Sequence, residues 1–86
     1  MSQPVSWLMI EPGWTVDASD RKEVGTVHEV LGDAEADIFD GLAVVHGLLK
    51  RARYVPAESV GEITEGRVAL TLTADAFERL GEYRGE

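Results

Sequence analysis

Cysteine is absent from the 86 residues of this chain, and proline (three), tryptophan, tyrosine, phenylalanine and methionine (two each) are sparse. Without a thiol there can be no disulfide, no Cys-ligated zinc or iron–sulfur cluster and no thiolate nucleophile, and a reducing cytoplasm is compatible with the composition. Long apolar runs are also missing. The longest uncharged apolar stretch, residues 41–49, falls well short of the ~20 residues that span a bilayer. Basic residues are few: 8 Lys and Arg stand against 16 Asp and Glu, a formal charge of −8. Lys50-Arg51-Ala52-Arg53 is the one basic cluster, enough for a small anionic contact or a solvated strand face. A nucleic-acid groove needs a longer stripe of cations. No nucleic-acid partner, no membrane insertion and no cofactor are therefore expected. The acidic excess is expected to serve solubility before it serves a cationic partner. Met1-Ser2-Gln3-Pro4 lacks the basic start of a secretory signal, so a cytoplasmic location is expected.

What is present is enough for a globular core. Hydrophobic residues make up 44% of the chain, and residues 1–86 read as one domain. A chain this short buries only roughly 60% of its unfolded surface, so its core must be compact. Turn signals recur at Glu11-Pro12-Gly13, residues 17–20, Gly32-Asp33, His46-Gly47, Val55-Pro56 and Glu65-Gly66, with short apolar runs between them. The clearest strand is 67–73, where Val68, Leu70 and Leu72 alternate with Arg67, Ala69 and Thr71 and so share one face. Gly66 supplies the turn into it from a strand at 60–64. Further strands are expected at 14–16, 24–31, 38–45 and 48–54, with Gly41 marking a bulge or bend. One short helix follows. Thr73 is its N-cap, Asp75 lies in its first turn, Ala76, Phe77 and Leu80 make an apolar stripe, and Gly81 ends it. It should plug one end of a small all-β barrel of five to six short strands, or cover an edge strand.

In order and spacing, five pieces of the chain resemble the PRC-barrel family over about residues 13–73. They are Gly25-Thr26-Val27; Val30-Leu31 with Asp33; Ile38-Phe39-Asp40-Gly41-Leu42-Ala43-Val44; Tyr54-Val55-Pro56-Ala57-Glu58 with Val60; and Gly66-Arg67-Val68 with Leu70. The family is named for the cytoplasmic domain of a photosynthetic reaction-centre subunit, and a similar domain forms the C-terminal half of a bacterial ribosome-maturation factor. The resemblance implies a PRC-type β-barrel that acts as an assembly or regulatory module docking onto other proteins. The matched residues fit barrel-building. Pro56 fixes its own φ and extends Val55, Val60 re-enters the core, and Gly25 permits close backbone packing. The chain shows neither the transmembrane helix of the photosynthetic subunit nor the N-terminal domain of the ribosomal factor, so it reads as a stand-alone member.

Four constellations could carry chemistry. Asp33, Glu35, Asp37 and Asp40 could converge on a hard cation such as Ca²⁺ or Mg²⁺, or form a solvated acidic loop. The calcium-loop pattern wants Gly at its sixth position and Glu at its twelfth, where this chain has Ile38 and Val44. His28 and His46 lack an evident third ligand and read as surface histidines, or as a pH-sensitive contact. Ser2, Ser6, Ser19 and Ser59 lie in no nucleophile motif, and no phosphate-binding loop is present. Trp14 reads as core. Trp7-Leu8-Met9-Ile10 is apolar surplus, which either adds a strand that closes the barrel or forms a docking or dimer surface. The expected function is a non-enzymatic protein-binding module, with self-association as one form, and contacts at Trp7, Met9, Phe39 and Tyr54. The alternatives are a divalent-metal-responsive module using Asp33, Glu35, Asp37 and Asp40, and, by fold analogy alone, a ribosome-associated assembly factor.

Overall fold

A computed structural model describes residues 5–46 and 52–83. Its strands are β1 (Thr15–Asp17), β2 (Glu23–Asp33), β3 (Ile38–Val45), β4 (Ala52–Pro56), β5 (Val60–Thr64) and β6 (Arg67–Leu70). They form one sheet in the order β4-β3-β2-β1-β6-β5. β1 and β6 run parallel, and every other neighbouring pair is antiparallel. One helix, α1 (Ala74–Glu78), and single 3-10 turns at Trp7–Met9 and Ala57–Ser59 complete the described structure. The mainly-β class, the hairpin at Glu65-Gly66 and the short C-terminal helix are as expected. Closure is not seen: β4 and β5 are the two ends of the sheet order. The expected start of a strand at 48–51, the Gly47 half of the turn before it, and Lys50-Arg51 lie outside the described residues.

Both sheet edges are partly covered by neighbouring chain. On β4, the Tyr54 N–H donates to the Gly81 carbonyl at 3.1 Å and the Tyr83 N–H donates to the Ala52 carbonyl at 2.8 Å. On β5, the Val5 N–H donates to the Ile63 carbonyl at 2.7 Å. Backbone groups at an open edge template association with other chains, and these contacts blunt that tendency.

Three local expectations are corrected. Trp7-Leu8-Met9-Ile10 does not add a strand but folds into a 3-10 turn. Ser6 Oγ accepts the Leu8 N–H at 3.2 Å, and the Ile10 N–H donates to the Trp7 carbonyl at 3.1 Å. A serine cap satisfies the backbone locally and so competes with a ladder partner. Gly32-Asp33 is not the β2–β3 turn, because β2 runs through both residues. The turn begins where Asp33 Oδ1 accepts the N–H groups of Glu35 (3.0 Å) and Ala36 (3.3 Å). Finally, Gly81 does not end the helix. Thr73 caps it as expected, accepting the Ala76 N–H at 3.1 Å, but α1 closes at Glu78 and the Gly81 carbonyl serves the β4 edge instead.

Register shifts decide which side chains face the core. In the β2–β3 ladder, Val27 pairs with Val44 and Glu29 with Ala43, leaving His28 as an extra residue. Further along, Leu31 pairs with Gly41 and Gly32 with Phe39, leaving Asp40 extra. An inserted residue inverts the strand's alternation and bends it. The bulge at Asp40 therefore returns Phe39 to the face of Leu42 and Val44, against whose cluster it packs. Gly41, expected to mark a bend, adjoins this bulge. Gly25 is required by close approach: a Cβ there would lie 2.2 Å from the Val45 carbonyl oxygen.

The core gathers Val16, Val27, Leu42, Val44, Val55, Val68 and Phe77, all essentially excluded from solvent, with Ile10, Ala18, Val24 and Leu70 around them. Each large aliphatic or aromatic side chain so buried contributes roughly 1.5–3 kcal/mol. Among the described residues no polar or charged residue is buried, so the core carries no desolvated charge to offset. Trp14 packs on this cluster, as expected. Pro56, with φ −66° and ψ 152°, directs the chain from Val55 into the Ala57–Ser59 turn that leads to β5. No helix among the described residues is long and apolar enough to cross a membrane.

Candidate docking site

The site starts from an indole that cannot enter the core whole. The turn at Trp7–Met9 lays the Trp7 ring on Phe39, with ring centroids 5.0 Å apart and planes 15° from parallel. The Trp7 Nε1–H donates to Asp37 Oδ1 at 3.0 Å, which fixes the rotation of the indole. Offset stacked aromatic pairs add about 0.5–1.5 kcal/mol beyond the area they bury. The stack thus ties the N-terminal segment to the tip of the β2–β3 hairpin, through residues 30 or more positions apart.

Around that junction the apolar surface stays open. Leu8 is 50% exposed, Met9 57% and Ile38 53%, which makes them the most exposed large hydrophobic residues described. Leu8 and Met9 follow the stacked Trp7, and Ile38 lies between Asp37 and Phe39, the two residues that hold the indole. Large apolar side chains grouped at the surface mark interaction sites more often than singly scattered ones do.

The four expected contact residues divide. Trp7 and Phe39 are joined directly, and Met9 is exposed beside them. Tyr54 is not part of the stack. It pairs with Ala43, which puts it on the sheet face opposite Val55 and Leu42, and its hydroxyl donates to the Asp40 carbonyl at 2.9 Å. The hydroxyl thereby satisfies a carbonyl of the bulged residue. Ile38 was not among the expected contacts. Counting back from Leu42 by twos places Ile38 and Asp40 inward, and only the bulge turns Ile38 out and Phe39 in. The available signal was Asp40 itself, a charge at what simple alternation makes a core position.

Of the four acidic residues around the hairpin tip, two are engaged, one by the backbone and one by the indole. Asp33 caps the turn, Asp37 holds Trp7, and Glu35 and Asp40 are exposed. Among the described residues no group of three or more His, Asp or Glu side chains is placed to hold a metal ion. His28 and His46 are both exposed.

Away from this junction, an open cleft of about 700 Å³ lies beside α1. It is lined by Asp20, Lys22, Glu23, Val24, His46, Arg53, Ala74, Asp75, Phe77 and Glu78. Several of its charged groups have structural partners. Asp20 Oδ1 accepts the Ala74 N–H at 3.3 Å, Arg53 donates to the Leu80 carbonyl at 2.8 Å with its guanidinium 5.9 Å from the centre of the Phe77 ring, and Asp75 accepts from Arg79 at 3.0 Å.

Among the described residues two titrating groups are displaced from their ordinary ranges, both away from the apolar junction. The Arg67 guanidinium is held further up by its hydrogen bond to Asp17 and by that carboxylate's charge. The Tyr83 phenol is pushed above 10 by desolvation and by its 3.1 Å hydrogen bond to the Glu29 carboxylate.

Neither a protein-family model nor a curated protein matches this chain.

Proposed function

We propose that this chain is a non-enzymatic protein-docking module of PRC-barrel type that acts in the cytoplasm, with the surface around the Trp7–Phe39 stack as its contact. The observation that carries the reading is the placement of three largely exposed apolar residues, Leu8, Met9 and Ile38, about a stack that is itself held rigid by Asp37. A contact surface with fixed aromatics loses little side-chain freedom on binding, which lowers one of the costs of protein association. The barrel-type reading is supported by the bulges that curl β2 and β3, and by the Val55-Pro56 corner that leads from one end of the sheet order to the other.

The test is a comparison of wild type with Leu8→Ser/Met9→Ser, which alters exposed side chains and leaves the stack in place. Both proteins are immobilised and exposed to the soluble fraction of the source cells. A protein retained by wild type and lost by the variant, at equal melting temperature, is the expected result. Identical recovery by both would remove the surface from consideration.

A further inference from the structure

We infer that the occupant of this surface is a cationic amphipathic segment of another protein, which sets apolar residues on Leu8, Met9 and Ile38 and Lys or Arg against the carboxylates at their margin. The inference rests on the docking reading above and specifies its partner.

Among the described residues that build the surface, the charge has one sign. Segments 5–11 and 33–40, which build it, contain Glu11, Asp33, Glu35, Asp37 and Asp40 and no Lys or Arg. All five acidic residues are exposed. β5, which the Val5 N–H joins, adds Glu62, and Glu65 follows in its turn. The cations of the chain belong to other segments: Arg21 and Lys22 precede β2, and the other six lie at position 50 or later. Among those described, Arg67 is paired with Asp17, Arg79 with Asp75, and Arg53 with the Leu80 carbonyl. Only one oxygen of Asp37 is engaged by Trp7, and the side chains of Glu35 and Asp40 have no hydrogen-bond partner among the described contacts.

An apolar surface with such a margin selects by charge. A second copy of this chain, with formal charge −8, would bring a like-charged rim against the first. Anionic lipid headgroups and nucleic-acid phosphates would meet the same repulsion. A segment with Leu-type residues on one face and Lys or Arg on its flanks satisfies both features of the surface at once. Its association would be steered by the field and weakened by salt.

The test uses three fluorescent helical peptides: one with a Leu face and Lys flanks, one with the same Leu face and Glu flanks, and one with Ser replacing Leu between Lys flanks. Binding to the full chain is read by anisotropy. The Leu/Lys peptide is expected to bind best, and to weaken between about 50 and about 500 mM salt. Glu35→Lys/Asp40→Lys and Leu8→Ser/Met9→Ser should each weaken it roughly tenfold or more, while Glu78→Lys/Glu82→Lys, an equal charge change elsewhere, should alter it by less than about threefold. Equal loss in both charge reversals, or preference for the Leu/Glu peptide, would overturn the cationic occupant. The docking reading would survive if Leu8→Ser/Met9→Ser still weakened binding. Self-association in sedimentation that disappears in Leu8→Ser/Met9→Ser would also leave docking intact and make the occupant a second copy. No binding of any peptide, and no effect of the Leu8 and Met9 changes on self-association, would overturn both.

Discussion

Replacing Phe77 by alanine should come close to unfolding this domain. Phe77 is 2% exposed and is the largest of the fully buried side chains. It is the one buried residue of α1, a helix of five residues. Helices that short have no independent stability in water, so α1 exists because Phe77 is anchored. Truncation of a buried phenylalanine costs about 3–5 kcal/mol, the sum of lost transfer energy and the cavity left behind. An 86-residue domain has a total margin of roughly 4–13 kcal/mol at typical per-residue values. The substitution therefore removes about a quarter of the margin at the least. Each kcal/mol shifts the melting temperature of a domain this size by about 4–8 °C, which predicts a fall of roughly 12–40 °C. Arg53, whose guanidinium lies over the ring, loses that contact as well. Urea and thermal unfolding followed by far-UV circular dichroism supply the measurement, with Phe77→Leu as the companion that keeps most of the volume and should cost under about 1.5 kcal/mol. Residues 81–83 lie against β4, so exchange of the Tyr54 amide, bonded to the Gly81 carbonyl, should also accelerate. If Phe77→Ala melted within about 5 °C of wild type, a loss near 1 kcal/mol, α1 would not be a member of the core.

Two other predictions separate causes that a single stability value would merge. Gly25→Ala drives a Cβ into the Val45 carbonyl, whereas Gly66→Ala meets no atom within 4 Å and suffers only its positive φ of 84°. Chemical denaturation should show the first change to be far more harmful than the second, which should cost about 1–2 kcal/mol, and equal losses would contradict the assigned β2–β3 register. For pH, the folded Tyr83 phenol titrates above its unfolded value of about 10, so its contribution to stability is complete below that pH and is lost as pH rises through the folded value. The difference in phenolate absorbance between wild type and Tyr83→Phe should have a midpoint above 10 that falls in Glu29→Gln, and an unmoved midpoint would disprove the contact.

Much of the sheet was legible because its strands carry the period of two expected of half-buried chain. The strand at 38–45 matches β3 residue for residue, and Val68 and Leu70 face inward as their spacing requires. Thr73 was readable as a cap because a hydroxyl placed before Ala74 and Asp75 has a clear backbone donor to serve. The bulges were readable only in part. A register shift depends on which residue of a distant strand sits opposite; His28 carries no local mark of being extra, and Asp40 and Gly41 mark a departure from simple alternation without showing which residue is inserted. That is why Ile38 escaped notice and Tyr54 was grouped with residues on another face. The surplus apolar run at Trp7 was visible, but its conformation depended on Ser6 and its place on Phe39, 32 positions away.

The proposed docking surface has a reporter built into it. The chain has two tryptophans, so its ¹⁵N spectrum should contain two indole N–H signals, one of them from the Trp7 group bonded to Asp37. Trp7→Phe assigns them. Titration with the Leu/Lys peptide should shift the Trp7 signal progressively and leave that of Trp14, packed against the core, in place. A saturating binding curve in which the Trp14 signal moves and the Trp7 signal does not would place the contact elsewhere and contradict the account.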